Sequence, residues 1–478
     1  MLSAAAIMFS TVPKLGSTTP NLTKVQAGKV VGPLKTTVVL LHEGSLRVCL
    51  VANPFFTDEE GAYTAVQRQV SMALNIPTNN VVVFSSHDHC VPALTVGPAW
   101  TWKRPLGQKV TVKLLDLGRR FVKQVVDAAR RLPDRLEPVS VWYAVGQEDR
   151  MTYNRKGRRA DGTTYLMREE DRRMLGTDFR GDIETDAPIV CLKNARGTPV
   201  CFLVQYTGHP VTAYHPERPV IYGEWPQVAC EQLSRRYSNV PVSFLQGCAG
   251  DINSKEMFFG NVKRSEQFGG YLARAYIGAA KNLKASKRQG MNFEMIRVNV
   301  SLMRLPGRKT VEREIGEIRD FIRRANAGDE NTLSCVGLNF PRSLSPAYRA
   351  ALVKMILPWS QRTLSLHKQG KADRSPKTVE MEVAVLRLGD VGIVGLPGEP
   401  FCGIGRLIKK LSPLPLAIPC GYTNFSFGYI TDAPNTGDRE YMSSFYRYTK
   451  YRPPYRKPAG DVLARQAAKK LKQFTKGK

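Results

Sequence analysis

Histidine is scarce in this chain, with six in 478 residues. Acid is short too: 41 Asp and Glu face 70 Lys and Arg, a formal charge of +29. The nine cysteines form no CxxC pair. Their odd number and scatter through apolar segments (Cys49, Cys191, Cys201, Cys230) exclude a disulfide scaffold and a structural zinc knuckle. No run of 18 or more apolar residues is present, so no transmembrane helix is expected. The opening MLSAAAIMFSTVPKLG is apolar but has no basic region before it, a weak case for a signal peptide. These absences predict a soluble protein and favour the cytoplasm over secretion. There is no internal repeat, and no compositional bias outside a basic tail, so repeat architectures are excluded.

What is present suits a sizeable core. Hydrophobic residues make up 42% of the chain, and the length fits two or three average domains or one large α/β unit. A surface this basic favours anionic partners, such as phosphorylated lipids, a membrane surface or nucleic acid bound without sequence specificity. It is equally compatible with a role in solubility. Arg447–Lys478 carries eleven Lys and Arg against one acid, Asp461. Helical spacing through Val462, Leu463, Ala467 and Leu471 predicts a docked helix there with a basic outer face.

Residues 1–32 read as irregular. Thr36–Ala52 predicts two strands joined at Glu43–Gly44–Ser45, and Gly61–Asn75 a helix stopped by Pro77. Val81–Cys90, VVVFSSHDHC, is a short strand buried on both faces that runs into two imidazoles. A helix over Arg119–Leu132 and a strand over Pro138–Val145 follow. Gly146–Arg180 reads as a long basic loop. Strands at Pro188–Leu192, Pro199–Tyr206 and Val242–Leu245 alternate with helices at Tyr222–Arg236, Arg264–Lys284 and Val311–Arg324. A last hairpin, Val379–Leu388 and Val391–Leu396, leads into LPGEP. The expected fold class is α/β (α+β): a mixed β-sheet core covered by helices, with its chemistry at strand ends.

Four strand ends carry unusual side chains: His87 with His89, His209, Asp251 and Glu399. On extended backbone, residues i and i+2 project to one side, so His87 and His89 can face one ion. On that pattern alone, two loop histidines are an equal alternative. Glu399 is harder to read as a solvated carboxylate, because Pro-Gly-Glu-Pro fixes its backbone. Two histidines and a glutamate form the N/O set of a catalytic zinc with an open position.

The segments FSSHDHCVP, YNRK, VQYTGHPVT, FLQGCAGDIN, GLPGEPF and FGYITD, in this order, resemble the neutral/alkaline non-lysosomal ceramidases and their microbial relatives. The resemblance spans about residues 36–475. It implies a single catalytic domain over 33–475 and one zinc ion held by His87, His209 and Glu399, with the Tyr429 phenol as a further ligand. It places His89, Arg155 and Tyr441 around a scissile carbonyl. Zinc-activated water would attack an amide, Arg155 or Tyr441 would steady the oxyanion, and His89 would protonate the leaving amine. The implied activity is zinc-dependent hydrolysis of an N-acyl sphingolipid or another N-acyl compound in lipid metabolism. An ester-hydrolysing or non-catalytic homologue with a basic binding surface is the alternative.

Each residue also has a plainer explanation. Tyr429 and Tyr441 lie in a segment with Tyr422, Tyr446, Tyr448, Tyr451 and Tyr455, where tyrosine can simply pack. Arg155 stands among basic neighbours, and Asp251 suits a helix cap or a residue that orients a ligand histidine. His215 reads as surface or supporting, and His42 and His367 as unrelated. Two departures from the family separate the zinc core from ceramide specificity. Asn253 stands where the family has a serine, with Ser254 one step off. The family's C-terminal β-sandwich domain is not expected in this chain.

Overall fold

The computed structural model describes residues 1–18, 25–56, 60–96, 113–158, 160, 164–424, 428–437, 447 and 452–476. Helices cover a mixed sheet as expected, but the core contains two sheets. The first is built from β1 (Ser3–Thr11), β2 (Leu34–Glu43), β3 (Leu46–Asn53), β4 (Val81–Ser85), β5 (Glu137–Gln147), β6 (Asp186–Asn194), β7 (Pro199–Tyr206) and β8 (Val242–Gln246). Their order across the sheet is β8-β7-β6-β5-β1-β2-β3-β4, with Lys284–Ala285 also pairing with β5. The second sheet is β9 (Met291–Ser301), β10 (Thr378–Leu388), β11 (Val391–Gly395) and β12 (Leu416–Cys420), in that order. The pairs β3–β4, β7–β8 and β11–β12 are parallel.

Period-2 alternation explains the layering. Val39 and Leu41 of β2, and Val82 and Phe84 of β4, face the second sheet and join one core with Leu386, Ile393 and Ile418. Val38, Leu40, Val81 and Val83 point the other way, onto α1 (Glu60–Leu74) and α2 (Asp116–Arg130). On the same outer face α3 (Glu224–Arg236) and α4 (Val262–Ala280) cover β6–β8. The outer face of the second sheet is covered by α5 (Cys402–Leu411) and α6 (Asp461–Lys476). The layers are therefore helix, sheet, sheet, helix. Truncating Phe84, which is 2% exposed, would cost about 3–5 kcal/mol.

Three segments depart from the sequence expectations. Residues 1–32 are not irregular throughout, because Ser3–Thr11 pairs along its length with β2 and touches β5. Its three alanines carry little strand propensity, and pairing with two neighbours decides the outcome. Gly146–Arg180 contains short strands at Thr152–Asn154, Lys156–Arg158 and Thr164–Leu166 and a helical turn at Glu169–Met174. Helix α5, CGIGRLIKKL, went unforeseen because its two glycines weaken helix propensity.

Candidate metal centre

The parallel pairs aim their C-terminal ends at one place, and the loop after β12 ties the two sheets together there. Ser85 N donates to Tyr422 O at 3.1 Å, and Asn424 N to Val83 O at 2.8 Å. The Asn424 side chain accepts from Val83 N at 2.9 Å.

His87 follows β4 with φ = 58°, left-handed for a non-glycine residue and costing about 1–3 kcal/mol. Its surroundings hold it there. Its N–H donates to Ser85 Oγ at 2.8 Å, and the ring lies between Phe56 (centroids 4.2 Å apart) and Tyr422 (4.5 Å). Tyr422 also has a positive φ, 53°.

His209 lies past the end of β7. Its N–H donates to Ile252 O at 2.9 Å, and Nδ1 lies 3.1 Å from the same oxygen. A carbonyl can only accept, so Nδ1 carries the proton and the Nε2 lone pair is left to face inward. Nε2 lies 3.0 Å from Glu399 Oε2 and 3.3 Å from the Tyr422 hydroxyl.

Glu399 is placed by a short parallel pairing, Glu399–Pro400 against Tyr429–Ile430, which puts Glu399 beside Tyr429. Gly398, with φ = 68°, makes the turn into it. Glu399 Oε2 lies 3.5 Å from His87 Nε2, and the Tyr429 phenol bonds to Glu399 and to Arg155.

The ligating atoms of His87, His89 and His209 all lie within 4.8 Å of one another. In a tetrahedral zinc site with bonds of about 2.0–2.2 Å, neighbouring ligand atoms are about 3.3–3.6 Å apart. The 3.5 Å from Glu399 to His87 matches that edge, and the 3.0 Å to His209 is slightly short of it. The cluster can therefore hold a metal ion, with Glu399 alongside the histidines. Protonation suits this too. Burial, reinforced by Arg155, pushes His209 down to about 4 against the pull of Glu399. Burial and the neighbouring His87 and His209 hold His89 well below the usual imidazole range. Burial would raise Glu399, but His87 and His209 outweigh it and hold the carboxyl well below its ordinary range. Neutral imidazoles and an ionised carboxylate are the forms that bind metal.

His89 is half-buried, with its ring against Tyr214 (4.9 Å) and Phe56 (5.0 Å). Its Nε2 is buried and has no hydrogen-bond partner among the described residues. Arg155 is 5% exposed and donates to Asn253 Oδ1 (3.0 Å), Gly250 O (2.7 Å) and the Tyr429 hydroxyl (2.9 Å). Tyr441 lies outside the described residues.

Asp251 supports the site from behind. Its Oδ1 accepts from Cys402 N at the start of α5 (2.8 Å), and its Oδ2 from Asn154 Nδ2 (3.1 Å). The group that orients His209 is the backbone carbonyl of Ile252, which leaves no mark in a motif. Asn253, in the serine's place, accepts from Arg155. The Ser254 hydroxyl is engaged by Val211 N and Thr212 Oγ1. Nothing in the sequence separates Tyr422 from the other tyrosines of its segment, and only the fold shows that it touches both His87 and His209. His215, His42 and His367 bond elsewhere, to Glu217 N, Gly44 O and Pro306 O.

Compared by sequence, the chain matches no family model and no curated protein. Among solved structures it is similar to the neutral ceramidase from Pseudomonas aeruginosa, at 14% identity and a TM-score of 0.62. It is also similar to a ceramidase complexed with C2, at 13% identity and a TM-score of 0.64. In each case the match covers 99% of this chain and 75% of the other. The shared property is the fold.

Proposed function

We propose that the chain is a zinc-dependent hydrolase of N-acyl amides, with the ion held by His87, His209, Glu399 and Tyr429. The observation that carries this reading is the meeting of three imidazoles and one carboxylate at strand ends of a ceramidase-like fold. Zinc bound there would supply a Lewis acid that lowers the pKa of a water molecule towards about 7. The chain's own groups supply the rest. Ile252 O keeps the His209 proton on Nδ1, so that the Nε2 lone pair would be available to an ion. Arg155 holds the Tyr429 phenol by a hydrogen bond and brings positive charge to where a carbonyl oxygen gains negative charge. His89 Nε2 is unpartnered among the described residues, which supports a role for this neutral imidazole in relaying a proton from the attacking water to the departing amine. Tyr441 is a second candidate for the oxyanion or proton role.

Phe56 and Tyr214 pack on the His89 ring and Tyr214 packs on Phe258, so aromatic side chains flank this side of the site, which favours an apolar acyl group in the substrate. N-acyl sphingolipids are one such substrate class, and the basic surface favours substrates presented at an anionic membrane. The test is metal analysis of the purified protein, then hydrolysis of N-acyl amides of graded chain length with and without chelator, with matched esters in parallel. Stoichiometric zinc and chelator-sensitive amide cleavage are expected. Zinc-free protein with undiminished activity would overturn the assignment, and cleavage of esters alone would change the substrate class.

A further inference from the structure

The side chain of Gln246, the last residue of β8, is fully buried and spans the two histidine-bearing loops. Its Nε2 donates to Ser86 O at 2.9 Å and to Gly208 O at 2.8 Å. Ser86 immediately precedes His87, and Gly208 immediately precedes His209. Its Oε1 accepts from Gly247 N at 3.0 Å. This pattern fixes the amide's orientation, because a flipped Gln246 would set an acceptor against two carbonyl oxygens. The backbone joins in: Gln246 O accepts from Gly421 N at 3.0 Å, at the start of the loop carrying Tyr422. Gly247 has no room for a side chain, since a Cβ there would lie 2.1 Å from Thr207 Oγ1 and 2.2 Å from Gln205 Nε2.

We propose that Gln246 is a positioning residue that sets the spacing between His87 and His209, with one amide tying together the chain positions from which both imidazoles project. This rests on the metal site proposed above. The His87 loop leaves β4, an edge strand of the first sheet, and the His209 loop leaves β7, which pairs with β6 and β8 and not with β4. No backbone hydrogen bond between strands can therefore fix their separation from within that sheet, and a side chain with two donors can. Zinc bonds tolerate only about 0.2 Å of misplacement, so losing the bridge degrades the site before it degrades the fold.

The test compares Gln246→Met, which keeps the volume and removes both donors, with Gln246→Asn, which keeps the amide on a stem one methylene shorter. Gln67→Met is the control. Gln67 is also buried and donates to Val81 O at the far end of β4, away from the cluster. Zinc affinity is read by competition with a chromophoric chelator, coordination geometry by the visible absorption of the cobalt-substituted protein, and stability by melting in chelator. Gln246→Met should bind zinc about 10–100-fold more weakly and show altered cobalt bands, the usual range for removing a group that supports metal ligands. Gln246→Asn should fall between it and the parent. Gln67→Met should lower the melting temperature while leaving zinc affinity and the cobalt spectrum unchanged. If Gln246→Met does not fold, Gln246→Asn carries the test, and parental affinity and spectrum in that variant overturn the proposal. The same result in folded Gln246→Met overturns it directly. A parent protein that binds neither zinc nor cobalt would instead remove the metal site on which the proposal stands.

Discussion

Gly250→Ala should separate the strength of the fold from the quality of the site. A Cβ at Gly250 would lie 2.5 Å from Glu399 O, 3.0 Å from Pro400 O and 2.9 Å from Phe401 Cδ1. Ordinary contact begins at 3.4 Å, so the backbone of Glu399 must withdraw by about 3.4 − 2.5 = 0.9 Å. Two of the three obstacles are backbone, so no rotamer change relieves them. Overpacking of this kind costs about 1–3 kcal/mol. Unfolding entropy of about 2.1 cal/mol/K per residue over 478 residues is about 1 kcal/mol/K, so the melting temperature should fall by only about 1–3 °C. The same 0.9 Å is several times the tolerance of a metal–ligand bond, so zinc affinity should drop by at least about 10–100-fold. Calorimetry in chelator reads the first quantity and competitive zinc titration the second. Gly278→Ala is the contrast: it is inside α4 with nothing within 4 Å of its Cβ, and should stabilise by about 0.5–1 kcal/mol without touching zinc. A Gly250→Ala protein with parental zinc affinity would refute the placement of Glu399 at the ion.

His87→Ala should abolish stoichiometric zinc. His89→Ala should keep the zinc while turnover of an amide falls by about 10²–10⁴-fold, less for an activated ester that needs no proton on departure. Equal zinc loss in both variants would make His89 a ligand, an outcome that the three-histidine cluster leaves room for. Away from the site, burial pushes Asp186 up, but the Lys409 ammonium and the Gln147 amide outweigh it and hold the carboxyl below its ordinary range. A depressed folded pKa stabilises above the unfolded value of about 3.9 and loses that stabilisation as pH falls through the folded value. Lys409→Met should therefore be less stable than the parent at pH 5–7, with the gap narrowing below about pH 4 in acid titrations followed by circular dichroism; a gap independent of pH would refute the coupling. On α6, Arg465, Lys469, Lys472 and Lys476 are exposed along one stripe. Neutralising Lys469 and Lys472 should weaken flotation with phosphatidylserine vesicles by about 2 kcal/mol at low salt, and binding unaffected by salt would count against an electrostatic origin.

Where local pattern and tertiary setting agreed, the sequence was readable. The VVVF run had to be a doubly buried strand, and the imidazoles after it had to emerge at a rim. Helix α2 announced itself through Phe121, Val122, Val125 and Ala129 ahead of Pro133. Ser3–Thr11 was opaque because alanines become strand only when neighbours pair with them. The second sheet was half visible. Its β10–β11 hairpin turns at Gly389–Asp390, whereas the polar–apolar alternation of β9 breaks at Met295–Ile296 and offers neither a clean period of two nor an apolar run. At the site, titratable side chains stood out while their supports did not. A backbone carbonyl such as Ile252 O has no residue type to signal it, and a buried glutamine reads like any other until the two carbonyls it joins are seen.

The proposed centre also bears on how the chain reaches its native state. His209 and Glu399 are 190 residues apart, and the contact that docks the Tyr422 loop on β4 spans 341. Closing a loop costs entropy that grows only as the logarithm of its length, so such a site is thermodynamically affordable but forms late. During synthesis the two histidines emerge long before the glutamate, and a nascent chain can offer an ion only part of its ligand set. Full-strength metal uptake would then report that both sheets have docked. Because the ion would favour the finished molecule over its precursors, by RT ln(1 + [L]/Kd), it would act as a latch on the whole architecture rather than on one loop.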